Sequence, residues 1–430
     1  MAGKSRKIQN FTPLTLYLSG PPTPIKKARI NITGSKSESN RLLLLQALYP
    51  NLKIENLSNA DDVKVMMEGL KVTSGTVDIH HAGTAMRFLT AYFATKESAD
   101  VTLTGSSRMQ ERPIKVLVDA LRQLGADIEY LKTEGYPPLR IRGKKLERSK
   151  VSLPANISSQ YISALLLVAP GTQKGLELEL LGEITSVPYI KMTLSLLNEM
   201  GIKSSFSGNK IKVGPTDTIS ARSIRVESDW SSASYFYSIA AFSEIGTHLE
   251  LTSYKDKSLQ GDRVLADIYR HFGVETRIEG STLHLIKNAH PGKPGEDKDV
   301  VFNFHLADAP DIAQTIAVNC FGLQIGCRIT GLHTLKIKET DRLEALKIEL
   351  TKLGARIEVS DHHLEMTPVD HIEKDVSIAT YKDHRMAMAF APLALKTNLY
   401  IEEAEVVSKS YPDFWRDLEQ LNFQISQTDH

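Results

Sequence analysis

Cationic side chains stand at the starts of several apolar segments, and these residues are the best suited to chemistry. The segment 34–41 has the sequence GSKSESNR and runs directly into the leucine-rich segment 42–48. Helix starts offer free backbone amides, to which Lys36, Ser37 and Arg41 would add donors for a phosphate. The spacing is not that of the P-loop, which has four residues between its first glycine and Gly-Lys. A capped helix with a solvated lysine explains the segment equally well.

Two further segments place arginine near a helix start. In HAGTAMR, at 81–87, Gly83 would let a ligand approach the backbone, Thr84 is predicted to cap the helix and Arg87 lies one turn further on. In RMQERP, at 108–113, Arg112 could bind a carboxylate or phosphate in a bidentate manner, and Pro113 is predicted in the first helical turn. A capped core helix and a surface arginine remain the simpler alternatives for each segment taken alone.

The strongest catalytic candidates lie in the C-terminal half. In KIKETDRL, at 336–343, Lys338 and Arg342 stand one helical turn apart, and Glu339 beside them can donate or accept a proton. A solvated helix start with ion pairs would also explain this charge. Asp311 opens another apolar segment, where it could act as a helix cap or as the general base for a hydroxyl.

Two more cations complete the set. Arg385 stands at the mouth of a nearly all-apolar helix, where a purely structural arginine would need a buried partner. His384 beside it is more typical of a core histidine, and Lys409 adds one further cation. Several anionic groups on the substrates would explain why so many cations occupy helix starts.

Internal repetition indicates how these residues are positioned. Four segments predict a helix, a left-handed glycine and a short strand, with Gly125, Gly201, Gly273 and Gly354 at the turns. A second, more apolar helix type is predicted six times. We therefore expect an α/β fold of duplicated β-α-β-α-β-β units, three per domain, with the apolar helices buried inside. The six apolar helices are predicted to start near Ser37, Thr84, Ser158, Ser231, Asp311 and His384.

Length and composition narrow the class of protein. A chain of 430 residues with 41% apolar residues favours two domains. Because 52 Lys and Arg balance 51 Asp and Glu, no long-range field favours nucleic acid or an acidic membrane. The two cysteines, Cys320 and Cys327, are too few for a disulfide framework and lack the spacing of a zinc site. With no apolar run of 18 residues and no evident signal peptide, we predict a cytoplasmic protein.

Seven segments in this order resemble the EPSP synthase family over nearly the whole chain: GSKSxSNR, AGTAMR, RMxERPI, SSQ, DxSSASYF at 229–236, KETDR and DHRMAM. The resemblance implies two similar domains, an inside-out α/β barrel-like fold that closes on the substrates. One domain would span 34–228, and the other would comprise 1–33 plus 229–430. The two crossings, near residues 33 and 228, would act as hinges.

The same resemblance implies transfer of the enolpyruvyl group of phosphoenolpyruvate to the 5-hydroxyl of shikimate 3-phosphate, with release of phosphate, in the pathway to chorismate and the aromatic amino acids. Asp311 would take the hydroxyl proton, Glu339 would protonate the methylene carbon, and Lys36 would assist. No metal or organic cofactor is expected, because the substrate already carries the reactive enol; we also expect a monomer that binds neither nucleic acid nor membrane. Phosphoenolpyruvate would be held by Lys36, Gly83, Arg112, Arg342, Arg385 and Lys409. Shikimate 3-phosphate would be held by Lys36, Ser37, Arg41, Ser158, Ser159, Gln160, Ser186, Tyr189, Asp311, Thr334 and Lys338.

Three positions depart from the family's usual pattern. His81 and Thr334 stand where the family usually or often has Asn, and Phe88 stands where it often has Pro. His81 and Phe88 are expected to affect the phosphoenolpyruvate pocket, and Thr334 is expected to affect one contact to shikimate 3-phosphate. Since Gly83 is retained, we predict sensitivity to the inhibitor glyphosate.

Two alternatives remain open at this point. The enolpyruvyl transferase that acts on UDP-N-acetylglucosamine shares the fold and the donor, but commonly carries a reactive cysteine on a mobile loop. Both cysteines here lie in or beside the apolar stretch 312–325. A non-catalytic sensor of anionic metabolites would keep the cations without needing the acid and base, and the presence of Asp311 and Glu339 disfavours it.

Overall fold

The architecture is that of a mixed α/β protein, described by a computed structural model over residues 13–155, 158–182, 184, 187–291 and 301–428. Short 3₁₀ turns precede or extend several helices, among them Pro310–Ile312 and Leu335–Ile337. The α-helices are α1 Lys36–Leu48, α2 Asp61–Lys71, α3 Gly83–Thr95, α4 Ser107–Gln110, α5 Lys115–Leu124, α6 Ser159–Val168, α7 Val187–Glu199, α8 Trp230–Phe242, α9 Leu265–Ile268, α10 Ala313–Gly322, α11 Arg342–Lys352, α12 His384–Phe390 and α13 Phe414–Gln420.

The strands are short and lie between these helices. They are β1 Thr15–Ser19, β2 Lys27–Ile30, β3 Leu52–Glu55, β4 Ser74–Asp78, β5 Asp100–Thr104, β6 Asp127–Tyr130, β7 Leu139–Arg142, β8 Lys150–Pro154, β9 Leu176–Leu181, β10 Ser204–Ser207, β11 Lys210–Val213, β12 Arg222–Arg225, β13 His248–Thr252, β14 Val274–Glu279, β15 Thr282–Lys287, β16 Val301–His305, β17 Gly326–Thr330, β18 Arg356–Val359, β19 His363–Thr367, β20 Val376–Ile378, β21 Leu399–Ile401 and β22 Gln424–Thr428.

The predicted repeat is present in the sheets. Four sheets have the same internal order, β4-β5-β7-β6, β8-β9-β11-β10, β2-β13-β15-β14 and β16-β17-β19-β18. In each, the first two strands are parallel and the last two form an antiparallel hairpin. A fifth sheet, β20-β21-β1-β22, has the same kind of order but combines β1, near the start of the chain, with three strands from the end of the chain. The sixth unit differs from the expectation, because the described residues give it two strands, the parallel pair β12 and β3.

All six apolar helices are present where the sequence predicts them. Nearly every residue of α3, α6, α8 and α10 is buried, as their uniform apolarity requires. Burial of each large apolar side chain contributes about 1.5–3 kcal/mol. The four predicted glycine turns are also confirmed, with left-handed φ of 109° at Gly125, 81° at Gly201, 74° at Gly273 and 101° at Gly354.

Three details of the predicted helix starts were wrong. Lys338 and Arg342 are not one helical turn apart, because Lys338 has an extended backbone and precedes α11, which begins at Arg342. The residue before α3 is Ala82, and Thr84 does not cap the helix; its hydroxyl accepts a hydrogen bond from Gln160 instead. Pro113 lies two residues ahead of α5, so it is outside the first turn. Its carbonyl accepts hydrogen bonds from the side chains of Arg87 and Tyr161.

The buried apolar residues form two separate cores. One draws on residues between 42 and 226, and the other on residues 16–32 and 230–423. Where the chain passes between them, Ser35 N donates to Glu227 O at 2.7 Å, and Gly34 and Ser228 form an antiparallel bridge. A Cβ at residue 34 would collide with the carbonyl of Asn56, so this crossing requires glycine. The domain limits at 34–228, and hinge motion near 33 and 228, stay predictions.

A buried carboxyl lies at the same crossing. The side chain of Glu38 is 1% exposed; its Oε2 accepts from Glu227 N at 3.3 Å, and Lys255 Nζ lies 3.6 Å from Oε1. Burial raises the pKa of Glu38 to about 7, although the Lys255 ammonium opposes the shift. The crossing therefore contains a group that titrates near neutral pH.

No helix among the described residues is long and apolar enough to span a membrane.

Candidate active site

A cavity of about 510 Å³ lies where residues of both cores meet, and the starts of five of the six apolar helices, α1, α3, α6, α10 and α12, line it. Because backbone amides at helix starts carry partial positive charge, this arrangement favours anions. Of the predicted site residues, the cavity is lined by Lys36, Ser37, Arg41, Gly83, Arg112, Ser158, Ser159, Gln160, Tyr189, Asp311, Thr334, Lys338, Glu339, Arg342 and Arg385. Lys409 does not line it, and Ser186 lies outside the described residues.

Arg342, the first residue of α11, joins three carboxylates. Its side chain is 2% exposed; Nε lies 2.7 Å from Asp383 Oδ2, Nη1 lies 2.9 Å from Asp311 Oδ1 and Nη2 lies 2.9 Å from Glu339 Oε2. Burial by itself would lower the pKa of this guanidinium, but the three carboxylates raise it. The arginine thus holds both predicted proton-transfer carboxylates in one place.

Asp311 is contacted by further cations. Lys338 Nζ lies 3.3 Å from Oδ1, and Arg385 Nη2 lies 3.4 Å from Oδ2. The hydroxyl of Tyr189 donates to Oδ2 at 3.5 Å. Burial would raise the pKa of Asp311, yet Arg385, Lys338 and Arg342 together hold it well below its usual range. Asp311 is therefore an ionised carboxylate, and it does not cap a helix.

Arg385 has the buried partners that its position required. Besides Asp311, Nη1 donates to the Asp311 carbonyl at 3.0 Å and Nη2 donates to Ser231 Oγ at 3.3 Å. Its neighbour His384 is 2% exposed, and neither ring nitrogen has a hydrogen-bond partner within the described part of the chain. Burial, with Lys36 nearby, lowers the pKa of His384 well below its usual range, so the imidazole is neutral.

Lys36 faces the same cluster from α1. Its Nζ lies 3.0 Å from Asp62 Oδ2, and its backbone N donates to Asp229 Oδ2 at 3.2 Å. Burial would lower the pKa of Lys36, but Asp62 and Glu339 raise it, so the ammonium stays charged at neutral pH. Burial would raise the pKa of Glu339, but the positive charges of Arg342, Arg112 and Lys36 outweigh this effect and hold it well below its usual range.

Lys409 lies near this cluster. Its Nζ donates to the carbonyl of Lys382 at 2.7 Å, and burial lowers its pKa despite the carboxylates of Glu339 and Asp383. It is close enough to the two carboxylates to act on them electrostatically. A direct contact between Lys409 and a ligand in the cavity stays a prediction.

Arg41 lies deep on the other side of the cavity. Nε donates to Thr193 Oγ1 at 2.8 Å and Nη2 to Ser163 Oγ at 3.0 Å, while the rings of Phe88 and Tyr189 lie 5.6 and 5.8 Å from Cζ. Burial lowers its pKa to about 10. Neutral partners leave the guanidinium charge uncompensated, which suits it to an anionic ligand.

Ser158 caps α6 by accepting a hydrogen bond from Gln160 N at 3.4 Å. Ser159 is buried, and the Gln160 amide donates to Thr84 Oγ1 at 3.1 Å. Thr334 Oγ1, buried at the opposite wall, has no hydrogen-bond partner within the described ranges. A ligand hydroxyl would satisfy Thr334, and that contact stays a prediction.

Arg112 lies over the start of α3. A Cβ built on Gly83 would lie 2.7 Å from Arg112 Nη1, which means that glycine permits this approach. Burial lowers the pKa of Arg112 to about 10, and the nearby charge of Arg87 adds to the effect. Arg87 is itself held by the carbonyls of Gly83 and Pro113 at 3.1 and 3.2 Å, so it positions the loop that carries Arg112.

Sequence reasoning missed several lining residues. Asp62 lies in an Asp-Asp pair at the start of α2, where acidic residues ordinarily stabilise the helix dipole, so nothing singled it out. Lys115, Tyr161 and His333 lie within or beside predicted segments but carry no distinctive spacing. His384, which the sequence favours as a core histidine, is indeed buried but also lines the cavity.

Charge is the property that best describes the cavity. Eight lysine and arginine side chains line it against three carboxylates, while the whole chain has a net charge of +1. A local excess of this size is costly without anions, because like charges at close range repel strongly. The arrangement can bind several carboxylate or phosphate groups and can transfer protons through Asp311 and Glu339.

The family model described as EPSP synthase (3-phosphoshikimate 1-carboxyvinyltransferase) matches residues 71–418. The chain therefore belongs to the EPSP synthase family. It is accordingly a transferase. The 3-phosphoshikimate 1-carboxyvinyltransferase of Bacteroides fragilis is 45% identical over 95% of this chain and 98% of its own length, and that of Haemophilus influenzae is 37% identical over 93% and 98%.

A solved structure of EPSP synthase from Acinetobacter baumannii has the same fold. It superposes with a TM-score of 0.77 at 20% identity, covering 96% of this chain and 100% of that one. The predicted fold class, an inside-out α/β barrel-like arrangement in two parts, is confirmed by this likeness.

The cysteines separate the EPSP synthase family from the nucleotide-sugar alternative. Cys320 is 0% and Cys327 is 1% exposed, so neither is available as a loop nucleophile. Buried free cysteines of this kind behave as small hydrophobic residues.

Proposed function

We propose that the chain transfers the enolpyruvyl group of phosphoenolpyruvate to the 5-hydroxyl of shikimate 3-phosphate and releases phosphate. The observation that carries the proposal is the cavity lined by eight cationic side chains and three carboxylates in a member of the EPSP synthase family. Each substrate has one carboxylate and one phosphate, so the two together supply the anions that this cavity favours.

The two substrates would occupy opposite parts of the cavity. Phosphoenolpyruvate would lie against Arg342 and Arg385, with Arg112 above it, since these guanidinium groups can bind a carboxylate or phosphate in a bidentate manner. Gly83, Lys36 and Lys409 would complete that site. Shikimate 3-phosphate would lie toward α1, α6 and the 3₁₀ turn Leu335–Ile337, bound by Lys36, Ser37, Arg41, Ser158, Ser159, Gln160, Ser186, Tyr189, Asp311, Thr334 and Lys338.

Asp311 and Glu339 would move the protons. Asp311 takes the proton of the 5-hydroxyl as its oxygen bonds to C2 of phosphoenolpyruvate, and Glu339 gives a proton to C3, which forms a tetrahedral intermediate. The C2–O bond to phosphate then breaks as C3 returns a proton to Glu339, which restores the double bond, and the proton held by Asp311 passes to the departing phosphate. Lys36 keeps its positive charge and stabilises the anionic groups throughout.

Substrate binding would prepare these carboxylates. In the ligand-free protein, cations hold the pKa of Asp311 and Glu339 well below the usual range, which makes Asp311 a weak base and leaves Glu339 without a proton to give. Anionic substrates compete for Arg342, Arg385 and Lys338 and so raise both pKa values. Proton transfer therefore becomes favourable once both sites are filled.

Phosphate release tests the proposal. The purified chain is given phosphoenolpyruvate with shikimate 3-phosphate, or with UDP-N-acetylglucosamine, and Asp311→Ala is compared with Asp308→Ala, an exposed aspartate three residues earlier. We expect release with shikimate 3-phosphate alone, lost in Asp311→Ala and retained in Asp308→Ala. Release with the nucleotide sugar alone would mean a different acceptor, and binding of both substrates without release would indicate a sensor.

We further infer a cytoplasmic monomer that does not bind nucleic acid. The net charge of +1 supports the last point, because 52 Lys and Arg balance 51 Asp and Glu and give no long-range field that favours nucleic acid. Light scattering after size exclusion tests the oligomeric state: a mass near 47.8 kDa is expected, and twice that mass would refute the monomer.

A further inference from the structure

A cluster of metal-ligand side chains lies on the outer face of the sheet β2-β13-β15-β14, away from the cavity. His248 and Glu250 project from β13, and His284 projects from β15 opposite Glu250. The alternating residues Leu249 and Leu251 point into the core. The three side chains therefore share one face of two paired, central strands, and strands hold ligands more rigidly than loops do.

The geometry is close to that of a metal site. His248 Nε2 lies 2.9 Å from His284 Nδ1 and 4.0 Å from Glu250 Oε1. One ligand atom from each of the three residues falls within 4.8 Å of the others. Across the part of the chain that the structure describes, this is the one group of three such residues. Their side chains are 27%, 15% and 14% exposed for His248, His284 and Glu250.

The sheet itself does not require this combination. On the outer face of the strands, many other polar side-chain pairs would stabilise the sheet as much as this imidazole–imidazole hydrogen bond does. Two imidazole nitrogens and one carboxylate oxygen, in contrast, are the ligands that borderline divalent metals prefer.

We propose that His248, Glu250 and His284 bind a divalent transition-metal ion, for which Zn²⁺ is the best match. A tetrahedral ion with Zn–N bonds of about 2.0–2.1 Å requires its two nitrogens about 3.3 Å apart, so the imidazoles need separate by only a few tenths of an ångström. Water would fill the fourth position; Glu279 Oε2, 3.9 Å from His284 Nε2, could bond the far side of that ring.

Neighbouring cations set the strength of binding. Lys27 Nζ lies 2.7 Å from Glu250 Oε1, but its side chain is 65% exposed and can turn into solvent. Arg29 on β2 and Arg277 on β14 stand beside Glu250 and His284 in register. Because these positive charges oppose a cation, binding is expected to be moderate, and removal of Lys27 should strengthen it.

Zinc titration tests the proposal, with the untagged chain freed of metal by a chelator and Zn²⁺ as the titrant in calorimetry. We expect one equivalent to bind, with affinity at least about tenfold weaker in His248→Gln and His284→Gln. The control is His363→Gln, since His363 and Glu365 on β19 have the same two-residue spacing and a comparable distance of 3.6 Å. That variant should bind zinc as the unchanged chain does.

Two further measurements keep the outcome decisive. Co²⁺ should give the absorption bands of a four-coordinate ion, and these should disappear in His284→Gln. Lys27→Met should tighten zinc binding several-fold, a gain that misfolding cannot imitate. No saturable zinc binding, binding unaffected by His248→Gln and His284→Gln, or no gain in Lys27→Met would each overturn the proposal, whatever the phosphate-release assay gives.

Discussion

The substitution Gly83→Ala should damage phosphoenolpyruvate binding while leaving the fold intact. The new Cβ would lie 2.7 Å from Arg112 Nη1 and 3.2 Å from its Cζ and Nη2. Because the obstructing atoms are the end of a flexible side chain, the conflict is relieved when the guanidinium moves by about 1 Å. Alanine is also a better helix former than glycine, so α3 should not lose stability.

The size of the effect follows from that displacement. A shift of about 1 Å in a substrate-positioning group can cost about 100-fold in rate. We therefore expect kcat/KM for phosphoenolpyruvate to fall roughly 10- to 100-fold, about 1.4–2.7 kcal/mol of transition-state stabilisation. Shikimate 3-phosphate, which is predicted to lie against Arg41 and α6, should show a change in KM of less than about threefold.

Steady-state kinetics with each substrate varied in turn measures this. The matched control is Gly171→Ala, where the nearest atom, Leu48 Cδ2, would be 3.8 Å away. In an Arg112→Ala background, Gly83→Ala should add little, because the two substitutions act on the same contact. An unchanged KM for phosphoenolpyruvate, or full additivity with Arg112→Ala, would refute the reasoning.

Three other predictions concern buried groups. Arg342→Met should lower the free energy of unfolding by about 3–5 kcal/mol, because three carboxylates lose their shared partner. The control Arg328→Met, on the surface, should lower it by less than about 1 kcal/mol. Urea unfolding of the two variants compares these effects. The pKa of Glu38 is raised to about 7, so its contribution to stability is lost as pH rises from about 4.5 through 7. As pH rises from 5 to 8, the free energy of unfolding of Glu38→Gln should therefore come to exceed that of the unchanged protein by up to about 3 kcal/mol. Thermal unfolding of both proteins at each pH tests this, and a difference in stability that does not change with pH would contradict it. Neither Cys320 nor Cys327 should react with a thiol reagent until the chain is denatured, and rapid reaction of the native protein would contradict their burial.

Much of the fold could be predicted because its signals are local. Uniformly apolar helices must be buried, and a glycine that ends a helix in the left-handed conformation leaves a mark in the sequence; both features occurred where they were expected. The need of Arg385 for a buried partner was also a local argument, and Asp311 and Ser231 satisfy it.

The remainder depends on contacts that sequence spacing does not encode. Asp62 reaches Lys36 across 26 residues, and Asp383 reaches Arg342 across 41. The periodicity of a sequence does not predict which acidic side chain will form an ion pair with which basic side chain. The repeat predicted a full sheet for the unit that contains β3, but the structure gives the two-stranded pair β12–β3. The partner of β3, which lies between α1 and α2, comes from a distant part of the chain, and the local pattern does not reveal it.

The position of β1 has a consequence for synthesis of the protein. β1 lies between β21 and β22, so its first hydrogen-bonding partner is made nearly 400 residues after it. On the ribosome, residues 42–226 can complete their own core while translation continues, but the core that contains β1 must wait for the end of the chain. A truncation that removes only β22 would therefore leave β1 paired with β21 on one side and with an open, apolar-backed edge on the other, which favours aggregation.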